Sequence, residues 1–151
     1  MTPPATITNT DLAERLRLAV TRLARRLRQH GDADDASPTQ LSVLATIERR
    51  GPITLGELAT AERVRPPTIT AAIDRLENQG LVVRRADEQD RRVVRVEIAS
   101  GGRKLLARNR SSKTAYLAKR LHALSPNDAA TLHKATEILD RLLEPEAERT
   151  S

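Results

Sequence analysis

Two successive prolines, Pro66 and Pro67, limit the folds open to this chain more than any other feature. A proline has no amide hydrogen, so such a pair can only lie before or within the first turn of a helix, where amides lack an intrahelical acceptor anyway. They therefore open a helix. Just ahead, Thr54-Leu55-Gly56-Glu57 carries a capping-box signature, in which Thr54 accepts from the amide three residues on and Glu57 reaches back to the Thr54 amide. That predicts a short helix over 55–62, seated on the core by Leu58 and Ala59, and leaves Arg63-Val64-Arg65 as the whole turn between the two helices.

In the helix behind the prolines, Ile69, Ala72, Ile73 and Leu76 form an i, i+3, i+4, i+7 apolar stripe, and Gly80 supplies its stop. Two β-branched runs follow, Leu81–Arg85 and Arg92–Ile98, on either side of the polar tip Asp87-Glu88-Gln89-Asp90-Arg91-Arg92. This is a hairpin signal, with Val94, Val96 and Ile98 on the face expected to be buried. Ile53-Thr54 is long enough for a brief strand pairing with it. Helix, tight turn, helix and hairpin together read as a winged helix-turn-helix, a mainly α fold with a small β-hairpin wing.

The flanks are helical. A first helix is expected from Asn9 or Thr10, either serving as cap, to about His30, burying Leu12, Leu16, Ala19, Leu23 and Leu27. Arg15, Arg22, Arg25, Arg26 and Arg28 cover its other side, as a solvated face or a phosphate-contacting one. Gly31-Asp32-Ala33-Asp34-Asp35 reads as a polar loop. Ser37-Pro38-Thr39-Gln40 then opens a capped helix to about Arg49, with Leu41, Leu44, Ala45 and Ile47 as its core positions. After the hairpin, Leu105, Leu106, Ala115, Leu117, Leu121 and Leu124 lead to a new cap at Ser125-Pro126-Asn127-Asp128, and a last helix carries Leu132, Ala135, Ile138, Leu139, Leu142 and Leu143 before Glu144-Pro145-Glu146 frays it.

These flanking stripes exceed what a small winged helix can cover, and a symmetric dimer explains them most simply, with Leu12, Leu16, Leu132, Ile138, Leu139 and Leu142 in its interface. The expected organisation is one continuous unit: an N-terminal dimerisation helix and loop in 1–35, a DNA-binding domain in 36–100 and C-terminal dimerisation helices in 101–151.

A formal net charge of +6 indicates a polyanionic partner, nucleic acid before an anionic membrane. The cations are nearly all arginine, which suits bidentate contacts to phosphate and guanine, or else follows from genomic base composition. On the second helix of the motif, Arg65, Pro67, Thr68, Thr70, Ala71 and Arg75 lie outside the apolar stripe and are the residues expected to meet base edges or phosphates in a major groove. The alternative for Arg75 is an ion pair with Asp74 or Glu77. In the hairpin, Arg84, Arg91 and Arg92 are expected to supply much of the affinity, with Arg91 or Arg92 entering a narrow minor groove and Asp90 aiming the guanidinium; otherwise the tip is a solvated charged turn.

Other chemistries find little footing. With no cysteine there is no thiolate zinc site and no thiol switch, and with Tyr116 as the sole aromatic there is no stacking platform for single strands. His30, His122 and His133 are scattered, so no metal site and no cofactor is expected. No Gly-rich phosphate loop or nucleophile–base pair suggests an enzyme. Neither a signal peptide nor a membrane span is legible, so a soluble cytoplasmic protein without a membrane partner is expected.

Taken together, Ala61-Glu62-Arg63-Val64-Arg65-Pro66-Pro67-Thr68-Ile69-Thr70, Leu76-Glu77-Asn78-Gln79-Gly80-Leu81-Val82, Arg84-Arg85 and Asp90-Arg91-Arg92 resemble the MarR (multiple antibiotic resistance regulator) transcriptional regulators, along nearly the whole chain. The resemblance implies an obligate homodimer with intertwined terminal helices, binding an inverted repeat of double-stranded DNA through two recognition helices and two wings. The half-sites would lie about one helical turn, roughly 34 Å, apart. It places Thr68, Thr70 and Arg75 on the recognition helix and Asp90 and Arg92 in the wing. Ala71 departs from it, since many relatives carry arginine there; Ala86 and Glu88 replace common wing prolines, and Ala99 stands where a threonine cap is usual. The resemblance also implies a repressor released by a small anionic or aromatic effector bound between the dimer arm and the DNA lobe, at residues the sequence does not identify. The alternative from the residues alone is a winged-helix protein-interaction or nucleoid-associated structural module without ligand response.

Overall fold

Residues 7–31 and 36–144 are described by the structure, a computed structural model. The expected loop at 32–35 and the fraying at Pro145-Glu146 lie outside them, as does the segment before Ile7. The element order is α1 (Asn9–Gly31), α2 (Pro38–Arg50), β1 (Ile53–Thr54), α3 (Leu55–Glu62), α4 (Pro66–Asn78), β2 (Val82–Ala86), β3 (Val94–Ile98), α5 (Ser100–Leu121) and α6 (Pro126–Leu143). The chain divides into two compact units inside α5, at Lys113/Thr114.

The helix starts follow their caps. Ser37 accepts from the Gln40 amide while the Ser37 amide donates to Gln40 Oε1, and Thr54 and Glu57 close the same box on α3. Ser125 caps α6, accepting from the Asp128 amide at 3.1 Å. On α1 the cap is Thr8, one residue ahead of the expected Asn9 or Thr10: its hydroxyl accepts from the Asp11 amide at 3.1 Å and donates to the Asp11 carboxylate at 2.6 Å. Thr8 wins because Asp11 stands three residues on to return the bond. At the far end of α4, Gly80 takes φ 71° and donates to the Glu77 carbonyl, while the Leu81 amide donates to the Leu76 carbonyl. This is a Schellman stop, and it turns the chain directly into the hairpin.

The three strands form one antiparallel sheet in the order β1-β3-β2, with Ile53 opposite Val96 on one side of β3 and Arg84 opposite Val96 on the other. Val43, Leu44 and Ile47 from α2, Leu58 from α3, Ile69, Ile73 and Leu76 from α4, and Val82 and Val96 from the sheet build a purely aliphatic core. Leu105 and Leu106 extend it into the first half of α5. Val94 departs from expectation. It shares the face of Val96 and Ile98 but is 43% exposed, because it lies toward the tip, beyond the helices that cover the other two.

Gly102 permits the close approach of α5 to the hairpin. A Cβ there would lie 2.3 Å from the Leu81 carbonyl oxygen and 2.8 Å from Ile98 Cγ1.

Among the described residues the expected burial along α1 is only partial. Leu12 is 55% exposed and Leu23 is also exposed, whereas Leu16 and Leu27 are half-buried. In the second unit, α6 buries no residue, and Leu121, Leu124, Leu132, Ile138 and Leu142 are exposed. An amphipathic stripe acquires burial only from a surface laid against it, and the described chain leaves these stripes in solvent.

Candidate nucleic-acid interface

Core burial of Ile69, Ala72, Ile73 and Leu76 turns Arg65, Pro67, Thr68, Thr70, Ala71 and Arg75 outward, and all six are exposed. Arg65 occupies the N-cap of α4 and makes no capping bond, since a guanidinium has no acceptor to offer the helix amides. Thr70 donates its hydroxyl to the Pro66 carbonyl at 3.1 Å. From Arg63 to Ile73 there is no acidic residue; the first is Asp74. The N-terminal half of α4 therefore presents a small, flat surface without a carboxylate, a shape a DNA groove can receive deeply.

The turn ahead of it is held from both sides. Arg63 adopts left-handed geometry (φ 54°, ψ 41°) and ends α3. Glu62 accepts from the hydroxyls of Thr46 (2.5 Å) and Ser42 (2.8 Å), tying the end of α3 to α2 and satisfying the buried Thr46.

At the hairpin tip, Asp90 accepts from Arg92 at both oxygens, from Nε at 3.0 Å and from a terminal nitrogen at 3.2 Å, and also from the Arg92 amide. The Arg92 side chain is nonetheless 91% exposed. Asp90 is thus held below the usual carboxylate range, chiefly by the Arg92 side chain and then by its amide. Arg91 beside it is exposed.

Sequence reasoning did not find the second brace, Asp87. One oxygen accepts from the amides of Gln89 and Asp90, the other from Arg95 Nε at 2.5 Å. Those bonds, led by Arg95, bring its carboxyl down to about 2. Arg95 also lies 3.6 Å from Glu57 of α3. Between Ala86 and Glu88 the turn is thus shaped by the hydrogen bonds of Asp87.

Arg84 is placed differently from the other arginines of the expected interface. Its two terminal nitrogens reach Asp74 (2.6 Å) and Glu77 of α4, and its side chain is only 25% exposed. The carboxylates offered as alternative partners for Arg75 are therefore engaged by Arg84, whose guanidinium they hold above its ordinary pKa, Asp74 foremost.

A cavity of about 310 Å³ lies in the first unit between the end of α1, α2 and α5. Leu41, Ala45 and Leu106 give it an apolar lining and Arg28, Arg110 and Lys113 a cationic one. Arg110 pairs with Glu48 of α2 at 2.6 Å. The apolar periodicity of α2 was legible, but not that Leu41 and Ala45, half-buried against the core, would also line a cavity. Among the described residues no cluster of metal-ligating side chains occurs, and no helix is long and apolar enough to cross a membrane.

Residues 36–94 match the sequence profile of the MarR family. The chain is 37% identical over 133 residues to the HTH-type transcriptional regulator MT0903.1 of Mycobacterium tuberculosis, covering 88% of this chain and 93% of that protein. A crystal structure described as that of a transcriptional regulator protein from Pseudomonas aeruginosa superposes with a TM-score of 0.81 at 41% identity, over 92% of this chain and the whole of the other. An S. aureus MepR mutant bound to an oligodeoxyribonucleotide shares the fold, with a TM-score of 0.69 at 20% identity over 87% of this chain and 97% of the other.

Proposed function

Since this chain belongs to the MarR family of DNA-binding transcriptional regulators, we propose that it acts as a homodimeric repressor, reading an inverted repeat and released by a small anionic ligand. The observation that carries the reading is the pairing of a carboxylate-free outer face on the first half of α4 with Arg92, aimed by Asp90 yet exposed, at the hairpin tip. Such a surface suits a helix in the major groove with an arginine in the adjacent minor groove. Arg65, Thr68, Thr70 and Arg75 select the site, Pro67 and Ala71 allow close approach, and Arg91 and Arg92 bind the backbone or minor groove. That oligonucleotide-bound MepR has the same fold supports this arrangement.

Dimerisation is supported by the solvent-facing leucines and isoleucine of α1 and α6: Leu12, Leu132, Ile138 and Leu142 are exposed, Leu16 and Leu139 half-buried. A dimer occupying two successive turns of duplex obstructs access to a promoter, which is the basis for repression. The cavity with Arg28, Arg110 and Lys113 around an apolar lining suits an anionic effector.

A gel shift on the DNA upstream of the protein's own gene, competed with random duplex, tests the reading. Specific binding should weaken steeply with salt, by roughly 10³–10⁵ between 50 and 200 mM if on the order of 6–10 phosphates are engaged. Equal affinity for random duplex would defeat it.

A further inference from the structure

We propose that Arg84 is a positioning residue, a strap that fixes the wing to the recognition helix, rather than a contact to DNA. Asp74 and Glu77 stand three residues apart on one flank of α4, and Arg84 on β2 reaches across to both, one terminal nitrogen to each carboxylate. The planar guanidinium is what makes a two-way bridge feasible, because its terminal nitrogens diverge at a fixed angle.

Three observations separate Arg84 from the arginines that face DNA. Both terminal nitrogens are occupied, whereas Arg92 is aimed by a single carboxylate and left exposed. Its side chain is largely covered. And one guanidinium between two carboxylates leaves the spot net negative, which repels a polyanion.

The position of the strap explains what it does. Arg84 lies on the same face of β2 as the buried Val82, two residues nearer the tip, where the aliphatic core no longer holds the strand to α4. On the opposite face of the hairpin Arg95 reaches Asp87 and Glu57 of α3. The wing is thus moored on both faces just beyond the core, so that the span from the outer face of α4 to Arg91 and Arg92 is constant. A groove-reading helix and a wing that must enter adjacent grooves together need that span held.

This inference rests on the wing reading above, and the experiment separates the two. Affinity for a duplex selected from a random library by the wild-type protein is measured for Arg84→Met, Arg84→Lys, Arg91→Ala/Arg92→Ala, and the Arg84→Met/Arg91→Ala/Arg92→Ala combination, with thermal melts confirming the fold. Arg84→Met should weaken binding at least about tenfold and the combination should bind no worse than Arg91→Ala/Arg92→Ala alone, since a strap has nothing left to position once the tip arginines are gone. Arg84→Lys should fail like Arg84→Met, because an ammonium is a point charge that does not bridge the two carboxylates. Losses that multiply in the combination, wild-type affinity in Arg84→Lys, or wild-type affinity in Arg84→Met would each overturn the strap. Wild-type affinity in Arg91→Ala/Arg92→Ala would instead overturn the wing reading. If Arg84→Met does not fold, Asp74→Asn/Glu77→Gln opens the same bridge from the other side and should show the same non-additivity with the tip variants.

Discussion

Asp90 grips Arg92 through both carboxylate oxygens, at 3.0 and 3.2 Å, from only two residues away, and so converts a flexible exposed arginine into one with a set direction. Removing the guanidinium and removing its brace should therefore differ in size but not in kind. Arg92→Ala should weaken DNA binding by about fivefold to a hundredfold, the range of a lost arginine contact worth roughly 1–3 kcal/mol. Asp90→Asn should cost a smaller factor and leave the melting temperature unchanged. Fluorescence anisotropy on a bound duplex reads both, and an Asp90→Asn loss larger than that of Arg92→Ala would contradict the brace.

Gly102 should tolerate no side chain. A methyl group there meets the Leu81 carbonyl oxygen, which accepts from the Ala99 amide, and Ile98 of β3, so Gly102→Ala should destabilise the protein by about 1–3 kcal/mol. Gly56, on α3, has nothing within 4 Å of its would-be Cβ. Gly56→Ala should instead stabilise by roughly 0.5–1 kcal/mol. Urea unfolding at one fixed protein concentration gives both signs.

Arg63 holds a left-handed conformation that a side chain disfavours. Arg63→Gly should relieve the steric penalty while adding freedom to the unfolded chain, for a net gain of up to about 1 kcal/mol. Loss of stability on that change would show that the Arg63 side chain contributes more than its backbone costs.

Acid should loosen the hairpin tip late. The Asp87 carboxyl is lowered from an ordinary 3.8 to about 2, first by Arg95 and then by the Gln89 and Asp90 amides. A group with a depressed folded pKa stabilises fully above its unfolded value and loses that contribution as pH falls through its folded one. The contribution of Asp87 should accordingly persist down to about pH 4 and disappear toward pH 2. Carboxyl-detected NMR titration should place its midpoint near 2, and Asp87→Asn should flatten the acid limb of stability in that window.

Leu132→Asp with Ile138→Asp should produce monomers that keep the helix-turn-helix fold, because neither residue belongs to the aliphatic core. Sedimentation velocity would show the change in mass, and affinity for an inverted repeat should drop to that for a half-site. A dimer that survives both substitutions would move the interface elsewhere.

How far the fold was legible follows from where each signal is written. The boxes at Ser37 and Thr54, the prolines at the head of α4 and the Gly80 stop act within a few residues of themselves, so the chain text located them and the structure places them where the text did. Thr8 escaped notice because two neighbouring residues were equally able to cap and only the bond from Asp11 decides among them. The stripe of α1 had the right period, but a period states that a face wants burial and not that the chain itself supplies the cover.

At the candidate interface the same division appears. Asp90 and Arg92 are two residues apart, so their pairing was foreseeable, whereas Arg84 finds Asp74 and Glu77 ten and seven residues away across a Schellman stop. Periodicity and capping, being properties of adjacent residues, settled the elements, their order and the outward face of α4 from the amino-acid sequence alone. Only the tertiary structure decided which charges meet: it drew Arg84 out of the set of exposed arginines and into a bridge, joined Asp87 to Arg95, and brought α5 onto Leu81 at Gly102. The reason is physical. An ion pair or a backbone contact depends on distances of a few ångströms between segments, and those distances exist only once the aliphatic core has set the helices against the sheet.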